Sequence, residues 1–375
     1  MTSRERILNA IRRRPVDRVP AMPDFHLMFP IKFSGRSMWD FIGPNATESI
    51  QEARLAAFEH FGLDAWIDGG VEFAPPRGVE HEDRIEGEDD ERITIDHVAH
   101  TPKGDLVTRV VYPKWEGAWA VEYPVQDPIG DMPKVECLLD ADPERGNSAQ
   151  PLRALQERVG ERGAVFSGGG RPGLEWWFSL RSSQQGIMDV HDHIDVLLPI
   201  WRRYEELDLA RTRITCESGA RVVYGGGSYT SLSLISPGWY ERYVLPHIAR
   251  TAELCHRHDV PFAVQINGRC SAALGMLARV GVDAVLPLEP RPLGDCDLAE
   301  ARRRVGSDMC FIGNLDPCNA LLQGSPEDVR QGVKTIIEAA GKRGLIVSTA
   351  DQTARDTPHE NLRAYREAVE EYGQW

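Results

Sequence analysis

The sequence predicts an α/β protein built as a (β/α)8 TIM barrel with a small antiparallel β insertion after its second strand, and three observations carry that prediction. Short apolar runs alternate with segments of helical periodicity along the chain, the pattern of a parallel sheet. Eight such runs can be counted: Val19–His26, Ala65–Phe73, Ala164–Gly169, Ala220–Gly226, Pro261–Gly268, Asp283–Glu289, Met309–Asp316 and Gly344–Asp351. Each is β-branched or aromatic in its middle and polar or glycine-rich at its C-terminal end, where barrel strands deliver side chains to the open face. An open doubly wound sheet is the alternative that this tally fits less well. The expected organisation is one barrel over residues 1–375, with residues 74–150 inserted as a β-meander.

In chain order, Thr2–Arg14 reads as a polar, arginine-rich surface helix. The insertion opens at Pro75-Pro76 and passes an acidic block from Glu80 to Glu91 that reads as solvated surface. It then alternates over Arg92–Val98, turns at Lys103-Gly104-Asp105, and resumes over Leu106–Tyr112 and Ala118–Val125. Placed after a barrel strand, it is expected beside the catalytic face as a wall or lid. Later helices announce themselves by their caps: Ser236-Pro237, Ser325-Pro326-Glu327-Asp328 and Thr357-Pro358-His359-Glu360 begin helices, and Gly373 ends the last.

Composition narrows the function. A formal charge of −14 argues against nucleic acid and anionic membrane as partners. No apolar run reaches the ~18 residues that a spanning helix needs, and no apolar signal segment follows Met1, so a cytoplasmic protein is expected. Its 7 cysteines form no C-x-x-C pair and fit a reduced compartment; Cys270 and Cys318, just past strand ends, are the two to test for reactivity.

The strand ends collect the candidate site: Asp24 and His26; Asp68 and Glu72; Arg171; Gly225–Gly227 and Tyr229; Gln265 and Asn267; Glu289; Asn314 and Asp316; Asp351. Alternation puts Asp24 with His26, and Gln265 with Asn267, on one face each, so either pair can point into one pocket. Carboxylates, a histidine and carboxamides at one mouth supply acid–base groups and hard oxygen donors. Plainer readings stand beside these. Asp316 before Pro317 reads equally as a cap, Glu289 as a partner of Arg291, and His26 as a core histidine. The His191-x-His193 and His256-x-His258 pairs have zinc spacing, but one opens a long helix and the other precedes a strand, on the face away from the mouth.

Taken together, several segments resemble the uroporphyrinogen decarboxylase superfamily, which includes cobamide-dependent methyltransferases. They are Ser3-Arg4-Glu5-Arg6-Ile7 through Arg18-Val19-Pro20, Gly62-Leu63-Asp64-Ala65, Glu122-Tyr123-Pro124-Val125, Ile235-Ser236-Pro237, Val244-Leu245-Pro246-His247, Gly281-Val282-Asp283-Ala284, and Asp356-Thr357-Pro358 with Glu360-Asn361. The resemblance implies a (β/α)8 barrel. In its methyltransferases a His, a Cys and a late Cys hold zinc; the matching positions here are Gln265, Asn267 and Asp351, a degenerate site from which no stoichiometric zinc is expected. The arginine-containing stretch that grips porphyrinogen carboxylates in the decarboxylases is replaced by Met22–Met28, and the decarboxylase acid falls near Val71 or Glu72.

The function expected first is a methyl or alkyl transferase of demethylase type acting on a small organic substrate. Asp24, His26 and Glu72 are its acid–base set, and Asp68, Arg171, Tyr229, Gln265, Asn267, Glu289, Asn314 and Asp351 contact the substrate. No tightly bound cofactor is expected. The resemblance implies a corrinoid as co-substrate or a corrinoid carrier protein as partner, and a homodimer is compatible with it. The alternatives are a cofactor-free decarboxylase (carboxy-lyase) of a small carboxylic acid or a porphyrinogen-like substrate, with Arg171 or Arg355 holding the carboxylate of a small acid, and a non-catalytic tetrapyrrole-binding protein.

Overall fold

The computed structural model describes residues 1–43 and 46–375. Its strands run, from the N-terminus, β1 (Ala65–Asp68), β2 (Glu80–Glu88), β3 (Arg92–Thr101), β4 (Gly104–Pro113), β5 (Trp119–Glu122), β6 (Gly163–Gly168), β7 (Val222–Gly227), β8 (Phe262–Ile266), β9 (Ala284–Pro287), β10 (Cys310–Leu315) and β11 (Leu345–Thr349). Among the described residues they form two sheets: a seven-stranded parallel sheet in the order β1-β6-β7-β8-β9-β10-β11, and a four-stranded antiparallel sheet, β2-β3-β4-β5. Seven of the eight predicted runs are therefore strands of one parallel α/β sheet, with neighbours in sequence also neighbours in space.

The exception is Val19–His26. Only Ala21 of this run makes a bridge, parallel to Val347. Pro20 and Pro23 explain the short pairing, because neither can donate to a ladder. The segment nonetheless hydrogen-bonds in two directions: Met22 N–H reaches Val347 O (2.9 Å), Val347 N–H reaches Pro20 O (3.0 Å), and Asp64 N–H, just before β1, reaches Ala21 O (2.9 Å).

Strands buried on both faces explain the continuous apolar runs. Val222, Val223, Phe262, Ala263, Val264, Val285, Phe311, Ile346 and Val347 are inaccessible to water. Each large one contributes about 1.5–3 kcal/mol relative to exposure. The flanking helices present one apolar stripe: in Pro326–Ala340 the buried residues are Val329, Val333, Ile336, Ile337 and Ala340, at helical spacing behind the capping box of Ser325 and Asp328. The predicted Thr357 cap does not form. The helix begins at His359 with Pro358 in the cap position, one residue later than the sequence pattern implies. The first helix covers Ser3–Ile11, capped by Thr2 and Glu5, and the chain leaves it where Arg13 takes a left-handed φ of 56°.

The insertion differs in one respect from its prediction. The acidic block is an ordered strand, β2, paired with β3 and exposed along its whole length. Carboxylates on both of its faces suit an edge strand, where charge discourages pairing with another chain. The segment just past β4 touches both the Met38–Asp40 turn and the loop that follows β11: Met38 N–H reaches Lys114 O (2.8 Å) and Arg355 Nη1 reaches Trp115 O (2.9 Å). Among the described residues, no helix is long and apolar enough to cross a membrane.

Candidate active site

A cavity of about 550 Å³ lies at the C-terminal ends of the parallel strands, lined by Asp24, His26, Trp66, Asp68, Tyr224, Ser228, Gln265, Asn267, Asp351 and Gln352. Period-2 alternation accounts for the set. Trp66 and Asp68 share one face of β1, and Gln265 and Asn267 share one face at the end of β8. Below them, Trp66, Phe166 and Tyr224 pack edge-to-face, with centroids 5.3–6.4 Å apart, and form an aromatic floor.

Asp24 is the cavity carboxyl whose pKa is raised, by burial above all. Its amide donates to Thr349 Oγ1 (2.9 Å) and its carbonyl accepts from Thr353 N–H (2.8 Å), which fixes the backbone beside β11. Its Oδ1 is shielded from water and has no hydrogen-bond partner. Burial pushes the carboxyl up to about 7; Arg54 draws it back, while Asp351 and Asp68 push it further. Near neutral pH it is thus poised between acid and base. His26 is shifted down by burial and by Arg54, which favours neutral imidazole. Asp68 shows the opposite outcome: burial opposes its charge, but the Arg54 guanidinium beside it holds the carboxyl below its ordinary range.

Arg54 comes from the helix Ile50–Phe61, behind the strands. It is 1% exposed, pairs with Asp68, donates to Trp66 O (3.3 Å) and lies 5.3 Å from the Trp66 ring centroid. No strand-end reading finds it, because it reaches the cavity from a helix. Trp66 and Tyr224 also escape that reading, since aromatic residues inside strands look like core.

A chain of hydrogen bonds runs along one wall. Tyr224 donates its hydroxyl to Gln265 Oε1; Gln265 Nε2 donates to Asn267 Oδ1 (2.6 Å) and Ser228 Oγ (3.2 Å); Asn267 Nδ2 donates to Glu289 Oε1 (3.2 Å). Glu289 Oε1 also accepts from Gly268 N–H (2.7 Å). Gly268 needs its left-handed φ of 64° here, and a Cβ would stand 2.4 Å from Ser233 Oγ. Glu289 therefore orients the carboxamides and does not pair with Arg291. Burial raises its pKa.

This wiring bears on zinc. The resemblance places a metal at Gln265, Asn267 and Asp351, but the carboxamide oxygens already accept from Tyr224, Gln265 and Ser228. Among the described residues, no group of three or more His, Cys, Asp or Glu is placed to hold a metal ion. Two engaged carboxamides and one carboxylate do not fit zinc.

Other predicted residues lie apart from the cavity. Glu72 is exposed and its backbone bridges Ser148. Arg171 does not line the cavity; its charge acts on buried Glu175, whose carboxylate receives the amides of Tyr229 (3.3 Å) and Thr230 (2.8 Å). Tyr229 itself is outside the lining set. Asn314 is buried and donates to Leu288 O (2.6 Å). Asp316 caps the turn of Pro317–Leu322 through the amides of Cys318 and Asn319. Cys270 is buried with its thiol pushed well up by a hydrogen bond with Cys296 and by burial, and exposed Cys318 is raised as well, so neither is an activated thiolate. His256 pairs with Asp283 (2.8 Å), before β9 and away from the mouth.

Comparison with known proteins follows the same lines. The family model described as uroporphyrinogen decarboxylase (URO-D) matches residues 207–372. The uroporphyrinogen decarboxylase of Trichodesmium erythraeum is 31% identical over 162 residues, covering 42% of this chain and 43% of that protein. The one from Gloeobacter violaceus is 28% identical over 254 residues, covering 65% and 70%. The chain thus spans less than half the length of the first relative. Among solved structures, a methyltransferase from Methanosarcina mazei superposes with a TM-score of 0.68 at 17% identity across 99% of both chains. A B12-independent methionine synthase from Shewanella sp. W3-18-1 superposes at 0.52 with 9% identity. At such identity these two speak for the fold alone. The class is an α/β, TIM-barrel-like fold with its cavity at the strand ends. Over residues 207–372 and in the two relatives above, the chain is similar to uroporphyrinogen decarboxylases.

Proposed function

We propose that the protein is a methyl or alkyl transferase that removes the group from a small organic donor, with Asp24 handling the proton on the leaving atom. The observation that carries this reading is a shielded carboxyl poised near neutrality in a cavity that, among the described residues, no lysine or arginine lines. In the step we propose, an external nucleophile attacks the alkyl carbon and the carbon–heteroatom bond breaks. The electron pair goes to the heteroatom, and Asp24 donates its proton there and is reprotonated from water. Neutral His26, which lines the cavity with the same carboxylates, assists as a relay. A reduced corrinoid, free or on a carrier protein, is the acceptor class that the superfamily offers.

The decarboxylase reading is disfavoured by charge. It needs a cation to anchor the substrate carboxylate, but Arg54 is committed to Asp68, and Arg355 is turned to Trp115 O, Glu116 and Asp356 outside the cavity. The fold reading that accompanies this proposal is a single (β/α)8 barrel in which residues 20–22 form the first stave, supported by their bonds to Val347 and Asp64, with residues 74–150 inserted.

The test is a single-turnover assay in which the protein meets cob(I)alamin and either a methyl aryl ether or a methylated amine, followed by absorbance. Methylated corrinoid that forms with the native protein and fails with Asp24→Asn supports the proposal. Carbon dioxide released from a small carboxylic acid, with no methyl transfer from either donor, replaces it with the lyase.

A further inference from the structure

We propose that the cavity receives a positively charged alkylammonium group, seated against the Trp66–Tyr224 aromatic floor and facing the carboxylates of Asp24 and Asp351; this rests on reading the cavity as the substrate site. Three observations converge on it.

The first is the charge balance. Three carboxyl groups line the cavity, those of Asp24, Asp68 and Asp351, and among the described residues no lysine or arginine does. Arg54, behind the wall, is matched by Asp68 alone. Among the described residues Asp24 Oδ1 has no partner, and Asp351 accepts only from its neighbour, the Gln352 amide (2.7 Å). The Asp351 carboxylate and the Asp24 carboxyl, which a facing cation would draw towards its ionised form, are thus left for a ligand to face. The second is the donor supply. Gln265 Nε2 is spent on Asn267 and Ser228, Asn267 Nδ2 on Glu289, and Trp66 Nε1 on Pro23 O (3.3 Å). Among the described lining residues an anion would meet no lysine or arginine, and its amide donors would be limited to the second Asn267 Nδ2 hydrogen and the Gln352 carboxamide. The third is the floor. Trp66 and Tyr224 stand at 76° with centroids 6.0 Å apart, and their negative ring faces attract organic cations. Arg54 already rests near the Trp66 ring, which shows the same affinity used within the protein. A bare metal ion is a poor match, because rings make up part of the wall and no metal-ligand cluster occurs among the described residues.

The experiment measures calorimetric binding of three probes of like shape and different charge: choline, the neutral 3,3-dimethyl-1-butanol, and the anion 3,3-dimethylbutanoate. Choline is expected to bind at least about tenfold more tightly than the alcohol, and the anion more weakly still. Asp351→Asn, at the exposed rim, should keep the native melting temperature and lower choline affinity about threefold to tenfold while leaving the alcohol unchanged. Equal or tighter binding of the alcohol or the anion overturns the proposal, as does failure of choline to bind. The outcome is separable from the transferase reading. Choline binding without methyl transfer leaves the cation site standing, and methyl transfer from a neutral ether without choline binding removes only the cation site.

Discussion

Asp24→Asn should make the protein more stable at alkaline pH while removing its proton-transfer group. In the folded protein the Asp24 carboxyl titrates near 7, against an ordinary value of 3.8. As pH rises through 3.8, the unfolded chain releases this proton and the folded chain keeps it until about 7. The unfolded state therefore binds fewer protons across that window, and folding stability falls with increasing pH. The loss is absent below about pH 4 and complete above about pH 7. A gap of about three pH units at about 1.36 kcal/mol each caps it at about 4 kcal/mol. Asparagine has the same shape and no charge to desolvate, so it escapes the loss. Urea denaturation of both proteins at pH 5 and pH 8.5 reads the effect, and the difference between the two isolates Asp24 from the other carboxylates. The variant should gain roughly 2–4 kcal/mol over the native protein at pH 8.5, and at most about 1.6 kcal/mol at pH 5, about 2.5 kcal/mol below the cap. A variant that is equally stable, or less stable, at pH 8.5 would refute the argument that Asp24 is held in a desolvated site.

Breaking the Arg54–Asp68 pair should be asymmetric, because Arg54 is buried while the Asp68 side chain is 44% exposed. Asp68→Asn strands a buried guanidinium and should cost about 3–5 kcal/mol in denaturation, whereas Arg54→Leu leaves a carboxylate that water can reach and should cost clearly less. Gly227→Ala should destabilise by about 1–3 kcal/mol, since its Cβ would stand 2.0 Å from the Glu175 Cδ that seats the Tyr229 and Thr230 amides. Elemental analysis of the purified protein should find well below one zinc per chain; stoichiometric, chelator-resistant zinc would show that the ligands lie elsewhere.

Seven of the parallel strands were legible because each is a short apolar run with both faces buried, and that signal survives without tertiary information. The first run was harder to read. Its apolar residues are buried, as expected, but Pro20 and Pro23 limit its ladder to a single bridge at Ala21. Four of the cavity's polar groups, Asp24, His26, Gln265 and Asn267, were visible from alternation near strand ends. Asp68 and Asp351 were visible as strand-terminal carboxylates. Glu72 satisfies the same rule in sequence, yet β1 ends at Asp68 and the chain has turned away by Glu72. Arg54 could not be anticipated, because a buried arginine inside a helix pattern reads as surface charge until its carboxylate partner is placed. The same applies to the acidic block: its alternation was masked by charge on both faces, and only the pairing of β2 with β3 reveals a strand.

The account rests most heavily on the protonation state of Asp24, and that can be observed directly. Infrared difference spectra of native protein minus Asp24→Asn, recorded across pH 4 to 9, isolate the carboxyl stretch of this one group. A protonated carboxyl band that persists above pH 5 and disappears with a midpoint near 7 is the predicted result. A carboxylate already fully ionised at pH 5 would contradict it, and with it the assignment of Asp24 as the group that moves the proton.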